Sequence, residues 1–129
     1  MPPAAPPLAP LAPIDRNERR RLARGTRAID SRIDLHGLRQ SEAQQVLRGF
    51  LAEAQRRNFT VVLVITGKGA EGSQGLGGEE RGVLRRVVPQ WLRLPDLRSL
   101  VVGFEEAHAG HGGAGALYVR LRRARRAKP

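Results

Sequence analysis

The run Val61-Val62-Leu63-Val64-Ile65, flanked by Thr60 and Thr66, constrains the fold of this chain more than any other segment. Five consecutive apolar residues, four of them β-branched, are too short for a buried helix and offer no polar face to solvent. They predict a central β-strand covered on both faces or nearly so, as in parallel sheets packed under helices. The 129 residues leave room for one core and tails.

Periodicity and punctuation supply the neighbouring elements. Upstream, Arg32-Ile33-Asp34-Leu35-His36 alternates apolar and polar residues until Gly37, the signature of a first strand. Ser41-Glu42-Ala43-Gln44 then reads as a capping box, and Ala43, Val46, Leu47, Phe50, Leu51 and Ala54 recur at helical spacing up to about Arg57. Downstream, Val83, Leu84, Val87, Val88, Trp91 and Leu92 predict a second amphipathic helix, opened by Glu79 and Glu80 and kinked at Pro89. Leu100 to Phe104 and Ala116 to Leu121 read as two more strands. On the last, Leu117, Val119 and Leu121 face one way and Tyr118, Arg120 and Arg122 the other.

The fold class expected is α/β: a two-layer βαβαββ sandwich with a mixed four-stranded sheet, three parallel strands, a fourth returning antiparallel, and two main helices. With both helices on one face, the other face is expected to stay partly open as a basic ligand-binding surface.

Met1 to Pro13 holds six prolines and cannot pack a core. Asp15-x-x-Glu18 reads as the N-cap pair of a short basic helix ending near Gly25, with Arg16, Arg20, Arg24 and Arg27 along one face. The expected organisation is therefore a proline-rich disordered tail with a short basic helix over 1–30, an ordered domain over 31–123, and a basic tail over 124–129. Of the net charge of +11, +4 lies in residues 1 to 32, +1 in 33 to 119 and +6 in 120 to 129. A nearly neutral body with basic flanks suits a polyanion such as nucleic acid, because Lys and Arg displace counterions from phosphates. Arginine-rich flanks also serve solubility alone. No cysteine is present, which excludes disulfides, thiol catalysis and zinc-thiolate sites. No apolar run approaches a membrane span, so a cytoplasmic protein without a membrane partner is expected.

Three segments at predicted strand ends carry chemistry. Asp34 and His36 share a face at the end of strand one, and a carboxylate beside an imidazole fixes its tautomer and raises its basicity. Taken alone, such a pair is more often a loop-capping histidine and a carboxylate paired with an arginine, since structural ion pairs are commoner than catalytic ones. Thr66-Gly67-Lys68-Gly69 follows the central strand, where bare amides and Lys68 suit a phosphate. The extended run to Gly72 formally matches a dinucleotide fingerprint, but Ser73 to Gly78 cannot open the helix that fingerprint requires. Residues 67 to 78 hold six glycines and predict a loop. His111-Gly112-Gly113-Ala114-Gly115-Ala116 places a second imidazole before strand four, with His108 nearby. No ligand spacing on one element supports a structural metal. Trp91 lies on the apolar helical stripe, whereas Tyr118 is placed to stack on an unpaired base beside Arg120.

These segments, with Gly82-Val83-Leu84-Arg85 through Val88-Pro89-Gln90-Trp91-Leu92 and the continuation Leu117-Tyr118-Val119, resemble the Smr (small MutS-related) domain in its stand-alone bacterial form, over about residues 31 to 123. The resemblance implies a sandwich similar to the C-terminal domain of a bacterial translation initiation factor, and nuclease activity on DNA or RNA. Stand-alone bacterial members are associated with messenger RNA cleavage on stalled ribosomes, which adds the ribosome as an expected partner. By motif, Asp34 and His36 fall on residues implicated in cleavage, and Gly67 and Gly69 on a glycine loop implicated in nucleic-acid binding. His111 matches without a defined role, and the resemblance leaves a divalent metal open while requiring no cofactor.

The expectation is an endonuclease. His36, oriented by Asp34, serves as general base or acid with His111 as partner acid. Gly67, Lys68, Gly69, Gly112, Gly113, Tyr118, Arg120 and the basic flanks hold the nucleic acid. The alternative is a module that binds nucleic acid or a ribosomal surface without catalysis.

Overall fold

The computed structural model describes residues 10–68 and 82–124. Gly69, the rest of the glycine loop with Glu79 and Glu80, residues 1–9 and residues 125–129 lie outside the described residues.

The elements run α1 (Arg16–Arg24), β1 (Ser31–Asp34), α2 (Gln40–Arg56), β2 (Val61–Ile65), α3 (Val83–Arg93), α4 (Pro95–Arg98), β3 (Val101–Glu106) and β4 (Ala116–Leu121). The sheet order is β1-β2-β4-β3, with β1 parallel to β2 and β4 antiparallel to both its neighbours. The mixed four-stranded sheet expected from sequence is present, with β4 inserted between β2 and β3.

Alternation along β2 distributes its side chains between two cores. Val62 and Val64 join Leu47 and Leu51 of α2, Leu84, Val88 and Leu92 of α3, and Val119 and Leu121 of β4. Val61 and Leu63 point the other way, into a smaller core with Ile14, Leu22 and Tyr118. The second core corrects two expectations. The sheet face opposite α2 and α3 is closed by α1, and packing begins well before Ser31. A basic stretch with only Ile14 and Leu22 as large buried apolar side chains is enough to cover the inner strands.

Local chemistry holds α1 in place. Asp15 caps it by accepting from the amides of Asn17 and Glu18, and Gly25 ends it in the left-handed region, as the sequence predicts. Upstream of the helix, the Ala12 amide donates to the Val102 carbonyl at 2.8 Å, across a bulge in edge strand β3. A side chain on Gly103 would run into the Ala12 carbonyl, so the strap and the glycine are fitted to each other. Glu18, buried in α1, pairs with Arg120 of β4.

Helix α2 departs from expectation at its start. It begins at Gln40 behind Arg39, with no side-chain cap, because the preceding turn feeds directly into it and Ser41 is already helical. Pro89 sits inside α3, which continues to Arg93. Among the described residues no helix is long and apolar enough to cross a membrane.

Candidate active site

Register aligns Asp34 with Ile65 and Ile65 with Ala116, so all three motif segments leave the sheet at one end. Buried Leu35 extends the pairing past β1 by donating its amide to the Ile65 carbonyl at 2.7 Å. The Leu38 amide returns to the Leu35 carbonyl at 3.1 Å, closing a turn that leaves His36 exposed between them.

There, Oδ1 of Asp34 meets the His36 backbone amide at 3.0 Å and His36 Nδ1 at 2.6 Å. An ionised carboxylate only accepts, so Nδ1 carries the proton and Nε2 keeps its lone pair toward solvent. Partial burial pushes the Asp34 carboxyl up, but the hydrogen bonds from the His36 side chain and backbone, with the imidazole charge, outweigh it and hold the group below its ordinary value. Asp34 is accordingly a carboxylate near neutral pH. The two residues single out one acceptor edge, that of His36.

The turn after β2 is bound to the loop before β4. The Gly115 carbonyl accepts the amides of Thr66 at 2.8 Å and Gly67 at 3.0 Å, and the Thr66 hydroxyl at 3.3 Å. A Cβ on Gly115 would lie 2.8 Å from the Lys68 nitrogen, so only glycine permits this approach. Gly67 adopts φ +87°, and a Cβ there would come within 3.1 Å of His36 Cβ. The turn therefore lies directly against His36. One expectation is corrected here: the Gly67 amide is already bonded to Gly115 and is not a free donor for phosphate. The exposed Lys68 ammonium supplies the positive charge instead, and a Cβ on Gly113 would stand 4.0 Å from its Cε.

His111 ends a single helical turn over Ala109–His111, and Gly112 follows in the left-handed region. Its Nδ1 meets the Tyr118 hydroxyl at 2.6 Å, with the two rings edge to face at 5.6 Å. Tyr118 was expected to stack on a base, but it is fully buried beneath α1 with the Arg19 guanidinium over its ring. Arg120, expected to contact nucleic acid, is engaged by Glu18. Alternation along β4 gave both the right side of the strand, but α1 occupies that side. Among the described residues no group of three or more His, Asp or Glu side chains is arranged to hold a metal ion.

Beside this loop, α1 and the end of β3 enclose a cleft of about 850 Å³. Arg16, Arg20 and Arg24 line it from α1, facing His108 and Glu106. Arg19 is held by the Glu105 carboxylate at 3.3 Å and the Glu106 carbonyl at 2.9 Å. Three of the four arginines expected on one helical face, Arg16, Arg20 and Arg24, lie there, whereas Arg27 falls beyond the end of α1 at Gly25, and the wall opposite them was not legible in the sequence.

Comparison with known proteins finds relatives both in sequence and in fold. The Smr domain family matches residues 33–122. Ribosome rescue factor SmrB of Aliivibrio fischeri (strain MJ11) is 32% identical over 109 residues, covering 84% of this chain and 53% of the relative. The SmrB of Yersinia enterocolitica is 33% identical over 107 residues, 82% of this chain and 52% of its own. The chain thus spans about half the length of these relatives. Among solved structures, the Smr domain of Thermus thermophilus MutS2 superposes with a TM-score of 0.55 at 29% identity, over 71% of this chain and 98% of that one. YdaL, a stand-alone small MutS-related protein from Escherichia coli, gives 0.60 at 25% identity, over 88% and 81%. On sequence and fold together, the chain belongs to the Smr domain family.

Proposed function

We propose that this chain binds RNA in the setting of ribosome rescue and cleaves its phosphodiester backbone at the Asp34-His36 pair. The binding half is supported by relatives named as ribosome rescue factors and by the exposed arginines of α1 that line a cleft with His108. The observation that carries the cleavage half is the 2.6 Å contact that protonates His36 at Nδ1 and leaves Nε2 as an outward-facing base.

In this reading Nε2 removes the proton of a 2′-hydroxyl, and the 2′ oxygen attacks the adjacent phosphorus. The bond from phosphorus to the 5′ oxygen breaks, leaving a 2′,3′-cyclic phosphate. The 5′ oxygen departs as a hydroxyl, its proton supplied by the His36 imidazolium or by solvent. Lys68 steadies the phosphate charge. The sequence relatives' shared name favours the alternative, a non-catalytic module in which the same loops grip RNA or a ribosomal surface, over cleavage.

Incubating the full chain with end-labelled single-stranded RNA, with and without EDTA, separates the two. Cleavage is expected, with loss on His36→Ala, retained binding, and survival of a substrate carrying 2′-deoxy at the scissile position. RNA bound but never cut would leave the binding module. Cutting at the 2′-deoxy position would rule out attack by the 2′ oxygen.

A further inference from the structure

We propose that Tyr118 sets the polarity of His111, so that this histidine offers a neutral Nε2–H to a phosphoryl oxygen instead of acting as the partner acid. The functional part rests on the cleavage reading above; the tautomer itself does not.

Among the described residues the Tyr118 hydroxyl has two hydrogen-bond partners. It accepts the His108 backbone amide at 3.3 Å and lies 2.6 Å from His111 Nδ1. Its residue is completely buried, between the sheet and α1. A phenol has one proton to place, and leaving a buried donor unpaired carries its full desolvation cost. Arg19, above the ring, only donates. His111 Nδ1 is thus the acceptor at hand. The reverse arrangement, with Nδ1–H donating, would give the oxygen two donors and leave its own proton without a partner. Neutral His111 is therefore protonated at Nε2, on the ring edge away from Tyr118.

The two histidines are opposite in sense. Asp34 takes the Nδ1 proton of His36 and leaves an acceptor edge; Tyr118 fills Nδ1 of His111 and leaves a donor edge. Their loops are joined through Gly67, which lies against His36, and Gly115, which binds Gly67. Phosphodiester transfer requires both senses, since an attacking hydroxyl loses a proton while charge grows on the non-bridging oxygens. His111 supplies the donor, and Tyr118 is a positioning residue that touches no substrate.

Nitrogen-15 NMR of the histidine rings in the full chain tests the tautomer without substrate. In the wild type, His111 should show an unprotonated Nδ1 and a protonated Nε2, and Tyr118→Phe should average the two nitrogens. A protonated Nδ1 in the wild type, or an unchanged pattern in Tyr118→Phe, overturns the proposal.

Cleavage tests the role. His111→Ala should lower the rate by about 10²–10³-fold, the usual loss of one oxyanion donor, whereas the amide of His111→Gln should stay within about tenfold of wild type. Gln as inactive as Ala would make His111 an acid, and full activity of His111→Ala would remove it from the site; either result refutes the proposed role. A wild type that binds RNA without cutting it would sink the cleavage reading and this role with it, while the NMR pattern still decides the tautomer.

Discussion

The Asp34 carboxylate accepts both the backbone amide and the ring proton of His36 through the single atom Oδ1. One short turn thus fixes the position and the tautomer of the imidazole together. Asp34→Asn keeps the size but lets an amide nitrogen face Nδ1, which reverses the tautomer. Cleavage should fall by about 10²-fold, with RNA affinity held, as measured by single-turnover kinetics and filter binding.

The same pair makes a pH prediction with a definite sign. The folded carboxyl titrates below its ordinary 3.8, so its stabilisation is complete above the unfolded value and disappears as pH falls through the lower folded one. Both side chains are about half exposed or more, which limits the effect to within about 1 kcal/mol. Urea midpoints of wild type and Asp34→Asn should differ at pH 7 and converge only as the pH falls below 3.8 and through the lowered folded value. A gap that persists in acid would show that the substitution acts through something other than the carboxylate charge.

Glu18 and Arg120 join α1 to the sheet, and Glu18 Oε1 is buried with no hydrogen-bond partner among the described residues. Arg120→Ala strands that carboxylate and should cost about 2 kcal/mol, whereas Glu18→Gln, which removes the charge, should cost under about 1 kcal/mol. The double variant should be less destabilised than the sum of the two. Simple additivity in a urea double-mutant cycle would mean the pair is not coupled.

What could be read from sequence is what depends on near neighbours. Val61 to Ile65 and Ala116 to Leu121 declared themselves as strands through composition and alternation, and both boundaries agree with the structure. The apolar run also demanded cover on both faces, yet nothing local identified the second cover. Ile14 and Leu22 are two apolar residues in an arginine-rich stretch, and their burial depends on strands some forty residues and more away. For the same reason Tyr118 was assigned to the correct side of β4 and the wrong environment. The Asp34-His36 contact was accessible because it spans two residues, whereas the use of the Gly67 amide by Gly115 spans forty-eight and leaves no local trace.

The cleft arginines should contribute affinity without contributing stability. Arg16, Arg20 and Arg24 are exposed, and none of them forms an ion pair with another described residue. Each one that neutralises a phosphate should steepen the dependence of log affinity on log salt by about 0.7 for a single strand. Replacing all three with Ala should therefore flatten the slope by up to about 2 units and weaken binding across sequences alike, with the urea midpoint unchanged. An unaltered slope would place the RNA elsewhere.

Gly115 offers the most direct test of whether the three motifs form one site. A methyl group there would lie 2.8 Å from the Lys68 nitrogen and 2.9 Å from the Gly67 carbonyl carbon, both backbone atoms that cannot rotate away. Gly115→Ala must push the β4 loop from the β2 turn, breaking the bonds from Thr66 and Gly67 and withdrawing Gly67 from His36. The strands and both cores do not depend on that contact, so the stability loss should stay near 1–2 kcal/mol, about that of one or two hydrogen bonds. Activity should suffer far more, by about 10²-fold, because small displacements of reacting groups are costly. Crosspeak shifts in an amide NMR spectrum should concentrate at Thr66 to Lys68 and His36. A Gly115→Ala protein that cleaves normally would mean that the loops work separately and that the site does not require their junction.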